Sequence, residues 1–175
     1  MQTQQAIRHI VHAVLVTALC ATAAAAQTIG GRPPAAVSLS GPRVGATFLS
    51  EGITSKLTES SIDVGSVVSQ FGWQFEKRIR TGANGLTAVN EWVLLVGGAE
   101  QGVLLPSVSW LVGLRTGSGM EFGVGPNVTP VGVALAMAAG VTFSSGALNV
   151  PVNVAVVPSK AGVRVSLLTG FNMRK

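Results

Sequence analysis

Val131–Phe143 reads V-G-V-A-L-A-M-A-A-G-V-T-F, Leu148–Val156 reads L-N-V-P-V-N-V-A-V, and Val163–Met173 reads V-R-V-S-L-L-T-G-F-N-M. All three runs alternate large apolar with small or polar side chains. In the first, Val131, Val133, Leu135, Met137, Val141 and Phe143 oppose Gly132, Ala134, Ala136, Ala138, Gly140 and Thr142. In the second, Leu148, Val150, Val152, Val154 and Val156 oppose Asn149, Pro151, Asn153 and Ala155. In the third, Val163, Val165, Leu167, Thr169, Phe171 and Met173 oppose Arg164, Ser166, Leu168, Gly170 and Asn172. Period two places successive residues on opposite faces, so each run reads as a strand with two unlike faces. The Ala, Leu and Met content of Val131–Phe143 also allows a buried helix. On a helix, residues two apart are turned by about 200°, so the large side chains would surround it rather than form a stripe.

Moving outward, the absence of charge is the next observation. From Phe122 to Ser159 there is no Asp, Glu, Lys or Arg. A half-buried strand in water shows it a polar and often charged face. Here the second face of Val131–Phe143 is only Gly, Ala and Thr. Small side chains suit the inside of a narrow eight-stranded barrel, and the large apolar face then points to lipid. The strand charges obey the same parity. Arg43, Glu76, Glu91, Arg115, Glu121 and Arg164 fall on the inner face, three acids against three bases. They are expected to form an interior ion-pair network, since a cation turned to lipid at the bilayer midplane costs about 2–4 kcal/mol. A polar conduction path is the functional alternative for the same residues.

The rest of the chain divides into eight candidate strands, roughly Val37–Leu49, Val64–Ile79, Thr87–Val96, Val103–Arg115, Met120–Asn127, Val131–Phe143, Leu148–Val157 and Val163–Met173. Between them lie T-G-A-N-G, T-G-S-G, S-S-G and P-S-K-A-G turn signals, the spacing of an all-β meander. The expected fold is an eight-stranded antiparallel up-and-down transmembrane β-barrel. The stretch Ser50–Asp63 is the longest connection, polar and charged, and is expected to be an external loop open to a partner. Phe75, Trp92, Phe122, Phe143 and Phe171 are expected at one membrane interface and Phe48 at the other. The cluster Lys77, Arg78 and Arg80 reads as a solvated turn.

This arrangement resembles the small eight-stranded outer-membrane proteins of Gram-negative bacteria. The resemblance is architectural, covers roughly Val37 to Met173, and implies an outer-membrane location with lipid as the surrounding partner. Proteins of that class end on an aromatic residue read by the assembly machinery. Here the chain ends G-F-N-M-R-K, with Phe171 four residues short of the end.

The N-terminus agrees with export. Arg8 and His9 precede an apolar run, Ile10–Cys20, that is shorter than the ~20 residues a spanning helix needs. Ala24-Ala25-Ala26 then offers an A-x-A cleavage site. The chain therefore reads as a signal peptide at 1–26, a mobile leader at 27–36 with Gly30-Gly31 and Pro33-Pro34, and a barrel domain at 37–175. Cys20 is read as part of the signal rather than as a lipid anchor.

Composition excludes several chemistries. The single cysteine and both histidines, His9 and His12, fall inside the expected signal, and there is no tyrosine. No Ser-His-Asp or Cys-His arrangement can form beyond it, nor the usual zinc sets. Glu76, Glu91 and Glu121 are the only inward acids for carboxylate chemistry. No phosphate-binding loop occurs, and Glu51, Glu59 and Asp63 do not match a calcium loop. The net charge of +5 is scattered, with no aromatic-basic platform for nucleic acid. Mean hydropathy is +0.50. The reading is a non-enzymatic barrel with a structural or interaction role, with no catalytic, cofactor or metal residues, and with the oligomeric state left open. The alternative is a secreted soluble β-barrel or sandwich that binds an apolar ligand.

Overall fold

The computed structural model describes residues 38–82 and 85–173. The expected signal (1–26), the leader (27–36) and Val37 lie outside the described residues. Eight antiparallel strands succeed one another: β1 (Gly41–Leu49), β2 (Val67–Thr81), β3 (Thr87–Gly97), β4 (Leu105–Arg115), β5 (Met120–Thr129), β6 (Gly132–Ser145), β7 (Leu148–Ser159) and β8 (Gly162–Gly170). Each pairs with its neighbours in sequence, and β8 returns to pair with β1. The sheet is thus a closed up-and-down barrel with no free edge. Carried through the registers, one circuit returns to β1 displaced by about ten residues, which tilts the strands by roughly 40°.

The alternating runs dictate which way side chains point. Every strand turns large apolar residues outward, and the inward positions are mostly small, polar or charged, with Val93, Leu95, Leu111, Val157 and Leu168 among the apolar exceptions. All of Val131–Phe143 but its first residue lies in strand β6, so the helical alternative does not hold for it. Two inward glycines show how tightly the sheet is wound. A Cβ on Gly45 would come within 1.9 Å of the Leu167 carbonyl oxygen, and one on Gly125 equally close to that of Trp110. At these points only glycine lets adjacent backbones approach.

The structure departs from expectation in four places. β1 begins at Gly41, with Ser38–Ser40 outside the sheet. Lys77, Arg78 and Arg80 belong to β2, which runs on to Thr81, so they are not a turn. The last strand is interrupted: β8 stops at Gly170 and resumes as Asn172–Met173 in the same register against Asn149 and Leu148. The gap faces Pro151, which has no N–H to donate to the ladder.

The fourth departure is the largest. The loop after β1 contains a helix, α1 (Glu51–Glu59). Ile53 and Leu57, one turn apart, are buried inside the barrel mouth against Leu49, Val64, Val68 and Leu105. Ser50 stands at the helix N-cap, but its Oγ accepts the Val163 N–H (3.0 Å) instead of capping. Its own N–H donates to the Val163 carbonyl (3.1 Å). Lys56 Nζ donates to the Val131 carbonyl (3.1 Å), tying the other end of the helix to the β5–β6 turn. The helix therefore stoppers one end, called here the helix end. Ser38 and Asn172, which are hydrogen-bonded, mark the opposite, terminal end.

Because Ile53 is fully buried, Ile53→Ala should destabilise the folded barrel by about 2–4 kcal/mol. The expected readout is a lower urea midpoint, with an unchanged strand signal in circular dichroism before the transition.

Candidate functional site

Strand parity carries Arg43, Glu76, Glu91, Arg115, Glu121 and Arg164 to the inside, where all six side chains are covered. Four of them meet. Glu76 and Glu91 are direct partners across β2 and β3, and Arg115 and Glu121 are partners across β4 and β5. Two carboxylates placed directly opposite repel unless a cation lies between them. Arg115 supplies it. Its register partner on β3 is Thr87, so its long side chain runs diagonally to reach the acids.

The guanidinium is used on several sides. Arg115 Nη1 donates to Glu76 Oε1 (2.8 Å) and Nε donates to Glu121 Oε2 (2.7 Å). Nη2 forms ion pairs with Glu76 and Glu121 and reaches Glu91 Oε1 at 3.4 Å. Such charge-assisted, forked bonds are the strongest a guanidinium makes. The network is extended by Asn153 Nδ2, which donates to Glu121 (3.3 Å), and by the Leu39 N–H, which donates to Glu76 (3.2 Å).

The other two arginines lie outside these ion pairs. Arg43 donates to Gln74 Oε1 (2.9 Å), to the Leu39 carbonyl (2.6 Å) and to the Pro42 carbonyl (2.9 Å). Arg164 donates to Thr129 Oγ1 (2.6 Å) and Asn127 Oδ1 (2.9 Å). Among the described residues, every salt bridge is made by Arg115.

Sequence reasoning singled out the inward charges but missed an uncharged belt nearer the helix end. Thr47 bonds both Gln70 and Ser166 at 2.6 Å, and Asn127 Nδ2 donates to Ser107 and Ser109 at 2.9 Å. The same period-two parity that found the charges places these residues inside. An apolar cluster of Val93, Leu95, Leu111, Ala136, Val157 and Leu168 adjoins the belt, with Val157 the register partner of Arg164. A cavity of about 90 Å³ runs through both levels.

Glu76, Glu91 and Glu121 bring carboxylate oxygens within 4.8 Å of one another and form an acidic trio that could hold a cation. The Arg115 guanidinium already fills that place, so a metal ion would have to compete with a covalently tethered cation. On the outside, Phe75, Trp92, Phe122, Phe143 and Phe171 are about half exposed, as is Phe48 nearer the helix end. The register and tilt bring Phe75, Phe122 and Phe171 to a similar height toward the terminal end. Trp92 stacks on Trp110 with centroids 6.0 Å apart, and the Trp110 indole N–H donates to Asn90 Oδ1 (2.7 Å).

At the helix-end rim, the 3₁₀ turn Ala99–Gln101 carries Glu100, whose carboxylate accepts the Ser69 N–H (2.8 Å) and the Ser69 hydroxyl. Those two bonds hold the Glu100 carboxyl down to about 2. No family model, no curated protein and no solved structure matches this chain.

Two predictions follow from these geometries. Arg115→Leu should strand three buried carboxylates and destabilise the barrel by about 3–5 kcal/mol, whereas Glu91→Gln should be tolerated, because one guanidinium cannot neutralise three acids. Urea midpoints of the two variants test the contrast. Glu100 has a folded pKa below its unfolded value of ~4.3, so its contribution is present above that value and disappears as pH falls toward 2. The protection factor of the Ser69 amide, its exchange rate corrected for the intrinsic pH dependence of amide exchange, should accordingly fall below about pH 4, and Glu100→Gln should remove most of that decline.

Proposed function

We propose that this chain is an exported outer-membrane β-barrel whose role is structural or interactive rather than catalytic. One observation carries the reading: the apolar exterior is circumferential. Each strand exposes a large hydrophobic side chain, from Val44 on β1 and Phe71 on β2 through Trp92, Val112, Val124 and Leu135 to Leu148 on β7 and Leu167 on β8. A soluble monomer exposes a largest apolar patch of about 300–600 Å². A belt that encircles the whole molecule has no dry partner except lipid.

Dimensions and polarity support it. Strands of 9 to 15 residues tilted by roughly 40° cover the ~25 Å apolar band of a spanning barrel. Charges lie inside or near the two ends, the inverse of a water-soluble barrel built around an apolar ligand. The exterior Trp110 N–H and Asn90 carbonyl satisfy each other, which suits a surface where water is scarce. Export through the expected N-terminal signal would put Ser38 and Met173 on the periplasmic side and α1 outside the cell, where its solvent face would meet a partner. No long apolar helix is present among the described residues, and none is needed when strands do the crossing.

The non-catalytic half of the proposal rests on residue content. Beyond the expected signal there is no histidine or cysteine, and the three inward acids are engaged by Arg115. Side chains and α1 occupy the lumen apart from the cavity of about 90 Å³, so no open pore is expected.

Fractionation of expressing cells, with a heat-modifiability gel on the pellet, tests the reading. The expected result is recovery only with detergent, from the outer membrane, as a band that shifts on boiling. Purified protein should give no discrete conductance steps in a planar bilayer. Recovery from the detergent-free soluble fraction would overturn the proposal in favour of the secreted barrel.

A further inference from the structure

We propose that the barrel interior binds one small amphiphilic carboxylate, in class a medium-chain fatty acid. Arg164 would hold its carboxylate, and its hydrocarbon part would lie in the apolar layer beneath. The inference concerns the lumen and does not rest on where the barrel resides.

Arg164 is the interior arginine of β8. Its side chain is buried, 7 % exposed, and lines the interior cavity of about 90 Å³. It has two neutral hydrogen-bond partners, Thr129 and Asn127, and its Nε–H has none. No described carboxylate comes within ion-pair distance, because all three interior acids are gathered on Arg115. Arg164 differs in this from Arg43, whose Nε and both Nη atoms each have a partner. A buried guanidinium with no counter-charge is strongly unfavourable. A carboxylate is the group whose geometry matches its fork.

The surroundings select the rest of the ligand. On the helix side the cavity is closed by Leu49, Ile53, Leu57 and Leu105, and on the other side it is walled by Val93, Leu111, Ala136, Val157 and Leu168. An inorganic anion would satisfy Arg164 and leave those walls without a partner. A plain hydrocarbon would cover the walls and leave the Nε–H unbonded. A carboxylate with a short apolar chain does both.

The test uses the full chain folded in a non-ionic detergent, with octanoate as the probe and mass spectrometry under non-denaturing conditions as the readout. One octanoate per folded chain is expected, with 1-octanol binding at least tenfold more weakly. Arg164→Gln should weaken octanoate binding at least tenfold. Ala136→Leu, which fills the apolar wall and leaves Arg164 intact, should do the same. The gel shift on boiling certifies that each variant is folded. Absence of an adduct on folded wild-type protein would overturn the proposal. So would octanol binding as tightly as octanoate, or wild-type affinity in folded Arg164→Gln or Ala136→Leu.

Discussion

A sheet that closes after eight strands has room inside for only some of its side chains, and the rest of this structure depends on that limit. Where backbones approach most closely, at Gly45 and Gly125, a single carbon would collide with a neighbouring carbonyl. Along β6 the inner face is reduced to Gly, Ala and Thr between residues 132 and 142. The volume removed from the inside reappears on the outside as Val, Leu, Met and Phe. The alternation that defines the strands and the inversion of polarity between wall and lumen are therefore one constraint. Closure also gives every strand a hydrogen-bonded neighbour on both sides, the arrangement a hydrocarbon solvent requires.

Inside, the difficulty is charge. Burying six ionisable side chains in a narrow tube is unfavourable unless each finds partners. The barrel places one guanidinium among three carboxylates near the terminal end, a dense arrangement in which Arg115 is bonded by more than one nitrogen. Leu39, itself buried, covers that end and donates its N–H to Glu76. The opposite end is closed differently, by two aliphatic side chains on α1. One mouth is sealed by electrostatics and the other by hydrophobic packing, with a polar belt and an apolar layer between them.

Much of this was legible in the residues. Period two located all eight strands, most to within two residues, and parity alone sorted the six charged side chains to the inside. Three features were not legible, each for a physical reason. Helix α1 has the i, i+4 pair Ile53 and Leu57, but Gly52, Thr54, Ser55 and Thr58 give it little intrinsic preference. It forms because the barrel mouth offers those two side chains a place to be buried, a tertiary fact. The pause at Phe171 comes from Pro151 on the adjacent strand, and only the register brings them together. Which arginine meets the acids depends on stagger: parity gives the face, but height along the tilted wall decides the neighbour. Arg115 comes from the far end of β4 and reaches diagonally, whereas Arg43 and Arg164 lie at other levels.

The three buried arginines thus represent three solutions to one problem. Arg115 is neutralised by carboxylates, and Arg43 is solvated by backbone carbonyls and Gln74. Arg164 is held by a hydroxyl and an amide, with one N–H left over, and lines the interior cavity. Structural economy alone would favour an apolar residue at that position, since β8 places it between Leu49 and the apolar layer, and a hydrophobic replacement for a buried ion is often neutral or stabilising. Arg115 and Arg43 can be understood wholly from the contacts that surround them. Arg164 cannot, and the uncompensated guanidinium facing a cavity is the feature of this barrel that its own packing leaves unexplained.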